Sequence, residues 1–353
     1  MKRGCDMIGD LVYELVQIPG PSGFESRVAN RLKELLKDHV DEIHMDKMGN
    51  LITKKKGTEG KHSLALVAHM DEVSMVVQKV DEFVWFDKLG WINLANLSGA
   101  RVLILGAERD VPGVVCSPSA HFVGKEGAGD LKLWIDVGDR QKYVSVGDPI
   151  VTVTPPQWLD DDKTILASHS IDDRVGCAIV VEVARQLTKR PRYDVYFIGS
   201  VQEEIGSFGV KHILRQISPD WFIALDTGFA QDAIPDINKT VPMRTGLGVR
   251  RLSFAQPRDR IYPGSVNFAS ERLNKLLIEA AKKLNIPFHV DVATNCFSDH
   301  NVAYDVNPEM DSTFMFVARR YTHSLTEVAD MTNAERAVNV LCQAIADMDS
   351  WDE

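Results

Sequence analysis

The stretch Tyr193–Gly228, YDVYFIGSVQEEIGSFGVKHILRQISPDWFIALDTG, decides how this 353-residue chain folds. Tyr193 to Ser200 is an apolar run of strand length, Gly209 to Gln216 has helical spacing, and Trp221 to Leu225 is a second apolar run. Strand, helix, strand in succession implies a mostly parallel or mixed sheet covered by helices. The first strand closes on two adjacent acids, Glu203 and Glu204, before a turn at Gly206. Carboxylates at the edge of an apolar strand are costly to desolvate unless a cation meets them.

The same alternation extends outward. Val175 to Leu187 reads as a largely apolar helix, Ser270 to Leu284 as a long one, STFMFVA (312–318) as a strand and Asn333 to Asp347 as a closing helix. Towards the N-terminus, Leu11, Leu15 and Ile18 recur at helical spacing. PGPSG (19–23) then breaks the chain, and Ser26 to Leu36 resumes an amphipathic helix. GNLITKKKG (49–57) and HSLALVAHMDE (62–72) read as strands, the second apolar enough to be internal.

Between Val73 and Thr164 the character changes. Short β-rich runs (Met75–Val80, Phe83–Trp85, Arg101–Leu105, Val111–Cys116, Leu131–Ile135 and Ile150–Val153) are separated by Gly, Pro, Asp and Asn. The expectation is an α/β fold, a mixed-sheet α/β/α domain of residues 1–72 and 164–353, with a small all-β domain, 73–163, inserted into it.

A formal net charge of −10 and no basic block longer than Lys54–Lys56 argue against a nucleic-acid surface. Five scattered cysteines without a CxxC pair suggest reduced thiols. The first residues lack an apolar segment of signal-peptide length, and no stretch approaches the ~18 apolar residues of a membrane span. The chain is expected to be cytoplasmic, with no membrane partner.

Ligand-type side chains recur at one topological place, just past the ends of the expected strands, where open α/β sheets bind their ligands. LALVAHMDEV brings His69 and Asp71, ASHSIDDRVG brings Asp172 and Asp173, and FIGSVQEEIG brings Glu203 and Glu204. WFIALDTG brings Asp226, and FMFVARRYTHS brings His323. Singly, each has an ordinary reading: Asp172 and Asp173 as helix caps, Asp226 as a turn former, Glu203 and Glu204 as a solvated loop. Together, two histidines and several acids at equivalent strand ends would repel one another without a counter-ion. Histidine with carboxylate suits zinc, cobalt or manganese rather than calcium. Two metals ~3.5–4 Å apart sharing one carboxylate would use five such ligands. Of two adjacent glutamates, one can hold a metal while the other faces the activated water. Asp71 is placed to accept the second N–H of His69.

From IPGPSGFE through DKMGNL, AHMDEV, GVVCSPSAH, DLKLWIDVG, DDRVG, QEEIG, ALDTG and RRYTHS, the chain resembles the M42 metallo-aminopeptidases, the TET or glutamyl aminopeptidase-like group of two-metal exopeptidases. The resemblance implies an exopeptidase-like catalytic domain and two divalent ions per subunit, Zn²⁺ or Co²⁺. One would be held by His69 and Asp226, the other by Glu204 and His323, with Asp172 bridging. It implies Glu203 as general base, Asp71 as partner of His69, a cis peptide after Asp172, short peptides as substrates and a tetrahedral homo-dodecamer built partly by the inserted domain.

The sequence departs from the family pattern at Ser74, at FSDH (297–300) and at Leu325, where the family shapes its substrate pocket. His121 and His300 read as structural or pocket-lining. The expected function is a dinuclear aminopeptidase. The alternatives weighed are a metal-dependent amidohydrolase or deacylase on N-acyl or sugar-derived substrates, a metal-free glycoside hydrolase using Glu203 with Asp226, and a silent assembly protein.

Overall fold

The computed structural model of the chain describes residues 8–119, 132–233, 241–255, 265–294 and 296–351. Two amphipathic helices open it, α1 (Ile8–Leu15) and α2 (Ser26–Leu36), with the PGPSG break between them. Three strands follow: β1 (Glu42–Met45), β2 (Leu51–Lys55) and β3 (Ser63–His69). Every residue of β3 after Ser63 is buried, as a strand covered on both faces requires. Leu64, Leu66 and Ala68 pack into the larger core, and Ala65 and Val67 into the opposite one, the period-two alternation of a strand.

Directly after β3 the chain enters a closed antiparallel barrel of β4 (Ser74–Val80), β5 (Val84–Leu89), β6 (Arg101–Leu105), β7 (Asp110–Cys116), β8 (Trp134–Asp136) and β9 (Pro149–Thr152), joined in the order β4–β5–β8–β7–β6–β9. Met75, Val77, Val102, Ile104, Ile135 and Ile150 fill its interior. Closure leaves this short-stranded module no free edge. Leu131 and His121 lie outside the described residues.

The chain then returns to the sheet through β10 (Gln157–Trp158), β11 (Ile165–Ser168), α3 (Ile171–Gln186), β12 (Asp194–Ser200), α4 (Phe208–Ile213), β13 (Trp221–Phe229), β14 (Leu247–Ala255) and β15 (Ser265–Phe268). It ends through α5 (Glu271–Lys283), β16 (His289–Thr294), α6 (Asp299–Val306), β17 (Asp311–Arg320), β18 (Glu327–Asp330) and α7 (Met331–Met348). Among the described residues the sheet has twelve strands. β12, β3, β13 and β17 are mutually parallel at its centre, and antiparallel pairs flank them. The architecture is a mixed-sheet α/β fold carrying a small β-barrel. No helix of the described residues is long and apolar enough to cross a membrane.

Two differences from the sequence reading bear on the site. β14, β15, β16, β18 and α6 were not anticipated. Asp226, expected just past a strand end, lies inside β13, because that strand stays paired with β17 as far as Phe229 after its ladder with β3 has stopped at Ala224.

Candidate metal centre

The central parallel strands deliver their closing residues to one spot. Ser200 of β12 is in register with His69, and the end of the β3–β13 ladder at Val67 and Ala224 sets Asp226 level with His69 on the same face. His69 Nε2 lies 3.3 Å from Asp172 Oδ1 and 3.8 Å from Asp226 Oδ1. On the other side, His323 Nε2 lies 3.5 Å from Asp172 Oδ2 and 3.3 Å from Glu204 Oε1. Asp172 thus stands between two imidazoles and offers one oxygen to each. All five residues proposed as ligands meet there. The peptide joining Asp172 to Asp173 is cis.

Backbone bonding explains how the ligand loops hold their shape. Asp71 is fully buried. Its Oδ1 accepts the Glu203 N–H at 2.9 Å, and its Oδ2 accepts the Glu204 N–H at 3.1 Å and the Ser22 hydroxyl at 2.6 Å. Its expected hydrogen bond from His69 is shared: Nδ1 is 3.2 Å from the Asp71 carbonyl and 3.5 Å from its carboxylate. Either contact directs Nε2 towards Asp172. Across the centre, His323 Nδ1 meets the Trp91 carbonyl of the barrel at 3.1 Å, so the inserted module orients the second imidazole.

Glu327 of β18 accepts the backbone N–H of Asp172 at 3.0 Å and that of His323 at 3.1 Å. Arg319, 2% exposed, ion-pairs with Asp172 and with Glu327 (Nε to Oε1, 3.0 Å). Buried Arg174 donates to the carbonyls of Met70 and Ile18, tying the start of α3 to the end of β3 and to the PGPSG loop. Asp173 caps its own helix by accepting the Gly176 N–H at 2.9 Å.

Backbone strain concentrates here. Seven non-glycine residues among those described adopt positive φ, and five of them, Ser170, Gln202, Ser207, Tyr321 and His323, flank the centre. Such conformations persist where surrounding contacts over-determine them, often at functional sites.

The electrostatics match a site made for cations. Burial opposes a charged His69, yet Asp172, Asp226 and Asp71 hold its imidazole well above the usual histidine range. Burial also works against ionised Asp172, but Arg319, His323 and His69 hold it well below the carboxylate range. Asp226 is pushed up to about 7 by burial and by Asp172. Glu203 is pushed well above its ordinary value by burial, and Glu204, Asp226 and Asp299 add to this. Asp226 and Glu203, crowded by other acids, hold their protons more tightly than free carboxyls do, and bound cations would release them. Two imidazole nitrogens and three carboxylates with edges of 3.3–3.8 Å form a donor set suited to divalent zinc or cobalt. His69, Asp172 and Glu204 form one compact ligand cluster, and His69, Asp173 and Asp226 another.

Beside the centre runs a narrow crevice between sheet and barrel, lined by Glu72, Val73, Ile92, Asp172, Glu204 and His323. The departures noted in the sequence occupy other places. Ser74 is buried at the start of β4, and Leu325 packs on the barrel core. His300 is buried, its imidazole pushed down to about 3 by desolvation with Arg250 nearby. Asp299, pushed up to about 6 mainly by burial, accepts the Ser200 hydroxyl at 2.6 Å.

Sequence reasoning missed Ser22, Arg174, Arg319, Glu327 and the Trp91 carbonyl. The usable signals were the PGPSG loop, the second arginine pair of the chain sitting at the end of an apolar strand, and the acid closing HSLTE.

The profile of the M42 glutamyl aminopeptidase family matches residues 49–340. A putative aminopeptidase of Acetivibrio thermocellus is 32% identical, covering 95% of this chain and 98% of its own. Among solved structures, the aminopeptidase APDkam598 of the archaeon Desulfurococcus kamchatkensis is 26% identical with a TM-score of 0.86, covering 96% of this chain and 94% of its own. The TET1 peptidase of Pyrococcus horikoshii, which can assemble into a tetrahedron or a large octahedral shell, has the same fold at 22% identity, with a TM-score of 0.82 and coverage of 95% and 98%.

Proposed function

The chain belongs to the M42 glutamyl aminopeptidase family and is a peptide hydrolase of the aminopeptidase class, and from that premise we propose that it removes the N-terminal residue of short peptides at a two-metal centre. The observation that carries the proposal is the division of Asp172, with one oxygen facing His69 and the other facing His323. His69 and Asp226 would hold one divalent ion, Glu204 and His323 the other, and Asp172 both. Zn²⁺ or Co²⁺, when bound, would polarise the scissile carbonyl and acidify water.

The protein's own groups supply the rest. Glu203 is the general base: it takes a proton from the attacking water and passes it to the leaving amine. Burial, with the neighbouring acids Glu204, Asp226 and Asp299, raises its basicity for that task. Asp71 fixes the backbone of Glu203 and Glu204 from behind, so the base and its neighbouring ligand keep their relative aim. The acid-lined crevice suits a free α-ammonium group, which restricts cleavage to the chain terminus. The barrel borders the substrate side of that crevice, and by analogy with the tetrahedron of the P. horikoshii peptidase and the dodecamer of PhTET1-12s the protein forms a homo-oligomer, a tetrahedral dodecamer.

The test is a panel of aminoacyl anilides beside N-acetylated amino acids, run before and after chelation. Expected are cleavage of the free-amine substrates, loss of turnover on removal of divalent cations and recovery with Zn²⁺ or Co²⁺. Cleavage of the blocked compounds alone would transfer the site to a deacylase, and full activity after stringent demetallation would remove the metal mechanism.

A further inference from the structure

Resting on the two-ion reading above, we propose that Arg319 is a resident cation that competes for the Glu204–His323 side of the centre. The two divalent positions are therefore unequal in affinity, and the weaker one fills only as the guanidinium yields Asp172.

The asymmetry is written in which oxygen Arg319 touches. Asp172 turns Oδ1 to His69 and Oδ2 to His323. Arg319 Nη2 pairs with Oδ2. An ion on the His69–Asp226 side parts only the contact between the His69 imidazole and Oδ1, two groups that both become its ligands, and displaces no fixed cation. An ion on the Glu204–His323 side must take Oδ2 from a guanidinium already bonded to it, then reside beside a fixed positive charge. Arginine stays charged at all working pH values, so this competition does not titrate away. Like charges a few ångströms apart at the effective dielectric of a protein site weaken binding by on the order of tenfold or more.

Arg319 is also built to yield without leaving. Nε stays 3.0 Å from Glu327 Oε1, and Nη1 donates to Thr322 Oγ1 at 2.6 Å. Glu327 is itself fixed by the backbone N–H groups of Asp172 and His323. Only the Nη2 contact has to open. The arrangement makes Arg319 a positioning residue: it keeps Asp172 in place when the second ion is absent and sets the free-ion concentration at which that ion enters.

The experiment uses the full chain loaded with Co²⁺ or Zn²⁺, equilibrated against graded free-ion concentrations in a chelator buffer. Ions per subunit are counted by mass spectrometry, and Co²⁺ occupancy is followed by visible absorption. The wild type is expected to release its ions in two steps at least tenfold apart. Arg319→Met should narrow that gap at least tenfold, and Arg319→Lys, which retains the charge, should keep it. Simultaneous release from the wild type overturns the inference and needs no variant to fold. So does a Met variant with the wild-type gap, or a Lys variant that behaves like Met. A wild type that takes up no ion overturns the two-ion reading itself, so the two failures are distinguishable.

Discussion

The carboxylate of Asp71 accepts the backbone N–H of Glu203 at 2.9 Å, and its second oxygen accepts that of Glu204 at 3.1 Å. One buried acid therefore sets the position of both the proposed base and a proposed ligand. Asp71→Asn must turn an amide NH₂ towards one of these N–H groups or towards the Ser22 hydroxyl, leaving a buried donor unmet. We expect metal affinity to fall 10–100-fold, the range for groups that orient ligands, with a parallel loss of kcat/KM. Metal titration of the variant checks this, and unchanged affinity rules the role out.

Glu203 and Glu204 adjoin in sequence but are proposed to do different work. Glu203→Gln should keep its full metal content while kcat drops roughly 10²–10⁴-fold, the worth of a general base. Glu204→Gln should lose an ion as well as activity. Metal analysis beside steady-state kinetics separates the two, and equal metal loss in both variants would cancel the assignment.

Gly176 illustrates two opposed effects. In an open helix, Gly→Ala stabilises by about 1 kcal/mol. Here an added Cβ would stand 2.2 Å from Asp173 Oδ2, inside the cap at the entrance of α3. Overpacking of this kind costs about 1–3 kcal/mol, so Gly176→Ala should destabilise despite its helix propensity. Denaturant melts measure the sign directly.

Glu25 is pushed from 4.5 up to about 7 by burial and by Asp71, while its Oε1 accepts the N–H groups of Gly23 and Gln202. The fold thus prefers this carboxyl protonated. Below pH 4.5 both folded and unfolded chains carry the proton and no cost arises. Between pH 4.5 and about 7 the unfolded chain ionises first, and stability falls as pH rises; above that the cost is constant. At about 1.4 kcal/mol per unit the ceiling is roughly 3 kcal/mol. Glu25→Gln keeps an acceptor oxygen and should remove this component, so metal-stripped variant and wild type should diverge across that window in urea melts.

The sequence made the centre legible because its chemistry sits at strand ends, and strand ends show as apolar runs closing on polar residues. His69 after LALVA and Glu203–Glu204 after YFIGSV are of that kind. β14 escaped notice because LGVRRLSFA buries Arg250, a residue that apolar alternation excludes. Asp226 was read as following its strand because support from β17 is a partner's property, not a local one. The bonds from Ser22 to Asp71, across 49 residues, and from Arg319 to Asp172, across 147, belong to the tertiary fold and leave no periodic trace.

The Trp91 carbonyl that meets His323 comes from the barrel, while the imidazole belongs to the sheet. That single contact limits how this protein can be rearranged by recombination. A chimaera that exchanged the barrel for a foreign module, or a minimal enzyme trimmed to the sheet, would inherit His323 with no acceptor for its Nδ1. The barrel therefore has to accompany the chemistry, and a change in its loop that moves the Trp91 carbonyl removes the acceptor facing that imidazole.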